Sequence, residues 1–278
     1  MKTRQPREDA RQQIVKAPVA LAVLPLGIAD QPEAAELAGQ LGLPLLPSGS
    51  ELKRCASATA VLCLKARTLS LQLTGKGAPG PVSVDFGASS MRHRRRSGHN
   101  ELLGRAVGVG RKSPLLLLDA TAGLGRDSFV MADLGCQVRL CERNAVIAEM
   151  LARGIEAACR GADPWLAAVA SRMQLHRGDA RELPAAVTAD IDVIYLDPMF
   201  PSRDKSAAVK KDMALFQFLL HNSEGGDDAL LHWALAQDVA RVVVKRPPRA
   251  PCLAGVEPSH AIKGKAVRYD VHVRRGLA

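Results

Sequence analysis

The chain has 278 residues, 47% of them hydrophobic, enough for a substantial core in one large domain or two unequal ones. A formal net charge of +10 points to a polyanionic partner, with nucleic acid the leading class over a basic surface kept for solubility. Six cysteines with no C-x-x-C and no paired Cys/His spacing argue against a disulfide framework and a structural zinc site, so no metal and a reducing, cytoplasmic setting are expected.

Residues 1–16 are polar and basic and read as a loose terminus. Residues 19–24 predict a strand inside an apolar stretch that is too short to span a membrane and carries Pro18 and Pro25, so neither secretion nor a membrane partner is expected. Residues 32–41 predict a short helix, with Pro32 in its first turn and Gly42 at its end. Residues 60–64 and 69–73 alternate apolar and polar side chains and predict a strand pair. The stretch 75–81 is dense in glycine and proline and reads as a linker. The expected division is a small α/β accessory domain over residues 1–80 and a larger domain over 81–278.

After a brief predicted strand at 82–86 come Arg92, Arg94, Arg95 and Arg96. Arginine forks suit the phosphates of RNA, and the alternative is a solvated charged turn. Residues 115–127 then read LLLLDATAGLGRD, an apolar run, a carboxylate, a small-residue loop and a helix start. That is the pattern of a buried parallel strand turning into a helix, whose ligand sits beyond the strand's carboxyl end. Gly123 and Gly125 let the backbone approach a ligand. A dinucleotide fingerprint is incomplete, because Ser128 stands where its third small residue belongs. Asp119 would repel a pyrophosphate and suits a cofactor carrying a cation and no phosphate. The D-x-x-x-G-x-G pattern resembles the first motif of class I S-adenosylmethionine-dependent methyltransferases; the alternative is a βα turn with no ligand.

The next predicted strand, 135–142, ends in Glu142, at the spacing from Asp119 where a carboxylate meets ribose hydroxyls in nucleotide-binding α/β units. Asn144 is positioned to cap the following helix. A strand at 173–176 leads to a turn in which Asp179 either faces an adenine amino group or serves only as a turn former. The stretch 192–201, DVIYLDPMFP, delivers Asp197, Pro198 and Phe200 at a strand's carboxyl end. It resembles the [D/N]-P-P-[F/Y/W] motif of enzymes that methylate exocyclic amines of bases, with Met199 in place of the second proline. Such an amine is a poor nucleophile because its lone pair is delocalised into the ring. A carboxylate and a backbone carbonyl accepting its N–H bonds orient that lone pair, and an aromatic ring stacks on the base for about 1–3 kcal/mol. Residues 202–211 form a basic, flap-like stretch with Lys205, Lys210 and Lys211 near phosphates. Helices are expected at 213–220 and 229–239, then a strand at 241–247 bearing Lys245 and Arg246 as further RNA contacts, then an antiparallel hairpin over 260–263 and 266–273.

DATAGLGRD at 119–127, ER at 142–143, YLDPMFP at 195–201 and KRP at 245–247 together resemble the small-subunit methyltransferase J family of 16S rRNA guanine-N2 methyltransferases. VDF at 84–86, MRHRRR at 91–96 and AVKKDM at 208–213 strengthen the resemblance, which runs from about residue 82 to the end. It implies a Rossmann-like class I α/β fold, with a mostly parallel seven-stranded sheet closed by an antiparallel C-terminal hairpin. It also implies S-adenosylmethionine as methyl donor and 16S rRNA or the small ribosomal subunit as partner. By position, the family's cofactor contacts fall on Arg126, Asp127, Glu142, Arg143, Asp179, Ala180 and Asp197; members can carry a serine pair where this chain has Asp179 and Ala180.

Three other readings use the same residues. A DNA or RNA adenine-N6 methyltransferase would employ the same D-P-x-F chemistry. An NAD-dependent oxidoreductase is disfavoured by Asp119 and the incomplete glycine pattern. A non-enzymatic RNA-binding module on a methyltransferase fold would bind RNA in a salt-sensitive way without methyl transfer.

Overall fold

The computed structural model describes residues 21–55, 58–96, 99–198 and 226–277. The expectations for residues 1–20, for Met199 and Phe200, for the flap with Lys205, Lys210 and Lys211, and for a helix at 213–220 lie outside the described residues.

Strands β1 (Leu21–Pro25), β2 (Ala60–Lys65), β3 (Thr68–Leu73) and β4 (Val82–Ser83) form a four-stranded sheet in that order. The β1–β2 pair is parallel and the other two are antiparallel. Helix α1 (Gln31–Leu41) has proline in its first turn and ends at Gly42, whose φ of +64° supplies the left-handed cap. Its Ala34, Leu37 and Ala38 pack on Val23, Leu62 and Leu71 of the sheet.

The remaining elements are α2 (Ser89–Arg96), α3 (His99–Val107), β5 (Leu116–Asp119), α4 (Arg126–Asp133), β6 (Gln137–Glu142), α5 (Ala145–Arg160), α6 (Pro164–Ala170), β7 (Met173–Arg177), α7 (Ala185–Thr188), β8 (Val193–Leu196), α8 (Gly226–Ala236), β9 (Arg241–Arg246), β10 (His260–Lys263) and β11 (Arg268–Val273). They build a seven-stranded sheet in the order β10-β11-β9-β8-β5-β6-β7. Strands β5 to β9 run parallel, and β10 and β11 close the edge as an antiparallel hairpin. The order reverses at β5, which has β6 on one side and β8 on the other. A crevice at the carboxyl ends of the strands opens at such a switch point. One face of the sheet packs on α3, α4 and α5 through Leu103, Phe129 and Leu151; the other packs on α8 through Leu231 and Ala234. Each fully buried leucine or phenylalanine stabilises this arrangement by about 1.5–3 kcal/mol.

One local expectation differs from the outcome. The strand expected over 82–86 is only two residues long and belongs to the first sheet. From Val84 the chain leaves that sheet to pack Val84 and Phe86 against the helices, with the Phe86 ring stacked on Phe129 at 4.6 Å. The basic cluster forms a helix, not the charged turn of the alternative reading, because Met91 is buried and anchors α2 in the core.

Candidate active site

Asp119 closes β5 at the switch point and is buried. It accepts a hydrogen bond from the Thr121 backbone N–H (3.1 Å) and a short one from the Ser128 hydroxyl. Burial pushes its carboxyl up to about 7 against those two bonds, with Asp127 and Asp197 adding like-charge repulsion. Ser128 therefore has a definite role where the dinucleotide pattern requires a small residue.

Glu142 ends β6 next door and organises the loop. Its two carboxylate oxygens accept from the Gly123 N–H (2.9 Å) and the Asn144 N–H (2.7 Å), and burial raises its pKa. Asn144 caps α5 by accepting from the Val146 and Ile147 N–H groups at 3.1 Å each. The two loop glycines do different work. A Cβ on Gly123 would meet nothing nearer than the Thr121 carbonyl at 4.0 Å, so open space lies over it. A Cβ on Gly125 would come within 2.6 Å of the Leu151 side chain and 3.3 Å of Phe86, at a φ of +69°. Packing against α5 and Phe86 therefore by itself requires a glycine at 125.

Asp197 follows β8, beside Asp119, and its backbone N–H donates to the Thr121 hydroxyl (2.7 Å). Pro198 follows it and is buried. Lys245, near the end of β9, donates to Asp197 Oδ2 at 2.7 Å and to Asp127 Oδ2 at 2.6 Å. The same Asp127 oxygen accepts from the Tyr195 hydroxyl (2.7 Å), a fully buried phenol whose pKa is raised by burial and by Asp127. Burial works against the Lys245 charge, yet Asp127 and Asp197 hold its ammonium well above its ordinary pKa. Thr121, Ser128, Tyr195 and the inward role of Lys245 are the parts that sequence reasoning missed. Their signal is contact between distant segments, which no local pattern carries.

Several expected contacts stand differently. Lys245 and Arg246 do not project from the strand end as RNA grips. Lys245 is committed to two carboxylates, and the buried Arg246 donates through Nε and Nη2 to the Pro251 carbonyl (3.1 and 2.5 Å). Asp127 is buried, with its carboxylate on Tyr195 and Lys245, while Arg126 is exposed at the start of α4. Asp179 forms a two-pronged ion pair with Arg181 and caps a short 3-10 turn, which holds its carboxyl below the usual range; Ala180 beside it is buried. Arg143 is exposed at the end of β6. Arg92 donates to Asp163 (2.5 Å) and lies 5.2 Å over the Trp165 ring, partly committed within the protein. The side chains of Arg94, Arg95 and Arg96 lie outside the described residues.

The residues fit a sulfonium cofactor. Carboxylates Asp119, Glu142 and Asp197 stand at the carboxyl ends of three adjacent parallel strands, β5, β6 and β8 respectively, beside open space over Gly123. That acidic set favours a cation and a ribose diol and opposes a pyrophosphate. Among the described residues no group of three or more His, Cys, Asp or Glu is arranged to hold a metal, and no helix is long and apolar enough to cross a membrane.

A family model for SAM-dependent methyltransferases matches residues 46–274. A ribosomal RNA small subunit methyltransferase J from Thioalkalivibrio sulfidiphilus is 48% identical over 85% of this chain and 91% of its own length. One from Marinobacter nauticus is 43% identical over 92% of each chain. The crystal structure of a SAM-dependent methyltransferase from Neisseria gonorrhoeae, 33% identical, superposes with a TM-score of 0.67 over 92% of this chain and 97% of its own. Matched over most of its length by the family model and by these relatives, the chain belongs to the ribosomal RNA small subunit methyltransferase J family of S-adenosylmethionine-dependent enzymes.

Proposed function

We propose that this protein methylates the exocyclic N2 of a guanosine in 16S rRNA of the small ribosomal subunit. The observation that carries the reading is the convergence of Asp119, Glu142 and Asp197 at the switch point of the sheet, with Asp197 opening the D-P-x-F sequence. The relatives' name, ribosomal RNA small subunit methyltransferase J, supports the class of substrate.

Bound S-adenosylmethionine supplies an activated methyl group on a cationic sulfur. The protein's part is positioning and charge. Glu142 holds the loop through Gly123 and offers its carboxylate to the ribose diol. Asp119 places negative potential beneath the cation. Arg126 and Asp127 contribute the first turn of α4, whose N–H groups and dipole suit the cofactor's own carboxylate. Arg143, Asp179 and Ala180 border the adenosine end. Asp197 and the Pro198 carbonyl accept the N–H bonds of the base amine, and Phe200 stacks on the base. Transfer of the methyl to the amine nitrogen, with the departing sulfur keeping the bonding electrons, would leave a proton that Asp197 or water would take. Arg92, Arg94, Arg95, Arg96, Lys205, Lys210 and Lys211 supply positive charge for the RNA backbone.

The accessory unit expected over residues 1–80 takes in β4 (Val82–Ser83) as well, since that strand pairs with β3, and it rests on the catalytic unit that follows; the protein works in the cytoplasm, consistent with six free cysteines. The test is transfer of labelled methyl to 16S rRNA or 30S subunits lacking the modification, followed by nucleoside analysis. N2-methylguanosine is expected. Asp197→Ala should lower the rate by ~100-fold or more with the melting temperature retained. Label on adenine N6 would replace guanine as the target, and no label on any RNA with cofactor bound would leave a non-enzymatic RNA-binding protein.

A further inference from the structure

Lys245 occupies a position that the proposed chemistry does not by itself require. In the register of the sheet Leu196 lies opposite Val244, so the ends of β8 and β9 set Asp197 and Lys245 side by side. Asp127 reaches the same ammonium from the first turn of α4, on the other side of the glycine loop. We propose that Lys245 is a positioning residue, clamping the Asp197 carboxylate to Asp127 and hence the base-amine end of the site to the cofactor loop. This rests on the reading of Asp197 as the group that orients the amine.

Three features support it. Both contacts are short, charge-assisted bonds, 2.6 and 2.7 Å, and the ammonium is largely withdrawn from solvent, with 28% of the side chain exposed. Asp197 is held from its other side as well, by its N–H on the Thr121 hydroxyl, so side chain and backbone are both tied to the loop region. The surroundings are acidic: Asp119 from β5 and Asp127 from α4 bear on this corner, which the neutral phenols Tyr195 and Tyr269 of β8 and β11 share. Clustered carboxylates resist ionising together, and an ammonium between two of them removes that penalty. An ionised, fixed Asp197 is a hydrogen-bond acceptor for an amine; a protonated or rotated one is not.

A merely structural ion pair would, when broken, lower stability without selectively altering Asp197. The experiment compares wild type with Lys245→Met and Lys245→Gln, the second serving if the first fails to fold, with melting curves to confirm the fold. Methyl transfer is followed as kcat against pH, cofactor affinity by calorimetry, and the Asp197 carboxyl by carbon NMR on aspartate-labelled protein, its signal assigned by its loss in Asp197→Asn. The expected result is a kcat lower by ~100-fold, cofactor affinity within roughly threefold, and an Asp197 carboxyl and acid limb of kcat that titrate about 1–3 pH units higher. If wild type itself methylates no rRNA, the functional reading fails, while the carboxyl titration still decides whether Lys245 governs Asp197. An Asp197 signal that titrates at the same pH in a folded Lys245 variant as in wild type, or a variant with wild-type kcat, overturns the proposal.

Discussion

Asp119 shows how much a single residue concedes to its position. The fold buries its carboxyl beneath the glycine loop, and burial raises its pKa from 3.8 to about 7. Between those values the folded chain keeps a proton that the unfolded chain has released, so stability falls as pH rises through that window and levels off above it. Asp119→Asn retains an acceptor for the Thr121 N–H and an amide partner for the Ser128 hydroxyl while removing the titration. The variant should gain on wild type by on the order of 1–4 kcal/mol between about pH 5 and about pH 8, read as a widening difference in melting temperature. It should also bind S-adenosylmethionine ~10-fold more weakly, since an anion near the sulfonium is lost. A melting-temperature difference that stays flat with pH would mean that Asp119 is ionised throughout. Asp119, Glu142 and Asp197 were legible in the sequence because each ends an apolar run in a recognisable order. Lys245 was not. In RVVVKRP it reads as an exposed cation, and its partners lie 48 and 118 positions away.

At the scale of elements, periodicity located the regular segments and failed where tertiary packing takes over. The alternation in residues 60–73 marked the β2–β3 pair, and Asn144 marked the start of α5. Residues 84–86 alternate just as well, yet the sheet offers partners only to Ser83 and Val82. The chain then crosses α5 at Gly154, a helix-interior glycine that propensity alone disfavours by about 1 kcal/mol. The crossing explains it: a Cβ there would overlap the Val84 side chain and approach the Val84 carbonyl to 3.2 Å. Gly154→Ala should therefore destabilise the protein by about 1–3 kcal/mol in urea unfolding, although an exposed helix would gain from the same change. Equal or greater stability would show that the Val84 segment shifts aside without cost.

Across the whole molecule, α5 serves two cores at once. Val146, Ile147 and Met150 face the four-stranded sheet, while the neighbouring Leu151, with Ala158, faces the seven-stranded one. Arg153 extends the link, bonding Glu149 on its own helix at 2.9 Å and Glu33 of α1, and Arg67 beyond β2 reaches Glu156 at 2.9 Å. The helix also begins where Glu142 and Asn144 anchor the glycine loop, so the accessory sheet is packed on the element that carries the cofactor site. The glycine- and proline-rich stretch 75–81 reads as a linker, but it only returns the chain from β3 to β4 of the same sheet, and no such signal tells how much apolar surface the two sheets share. Because both cores draw on α5, calorimetry should show one cooperative transition, and Met150→Ala should lower stability by about 2–5 kcal/mol without splitting it. Saturating S-adenosylmethionine should then slow hydrogen exchange of the most protected β2 amides, although β2 belongs to the four-stranded sheet, since those amides open only with the global transition that the ligand opposes. Two resolved transitions, with β2 exchange unmoved by the cofactor, would instead make the four-stranded sheet an independent unit resting on α5.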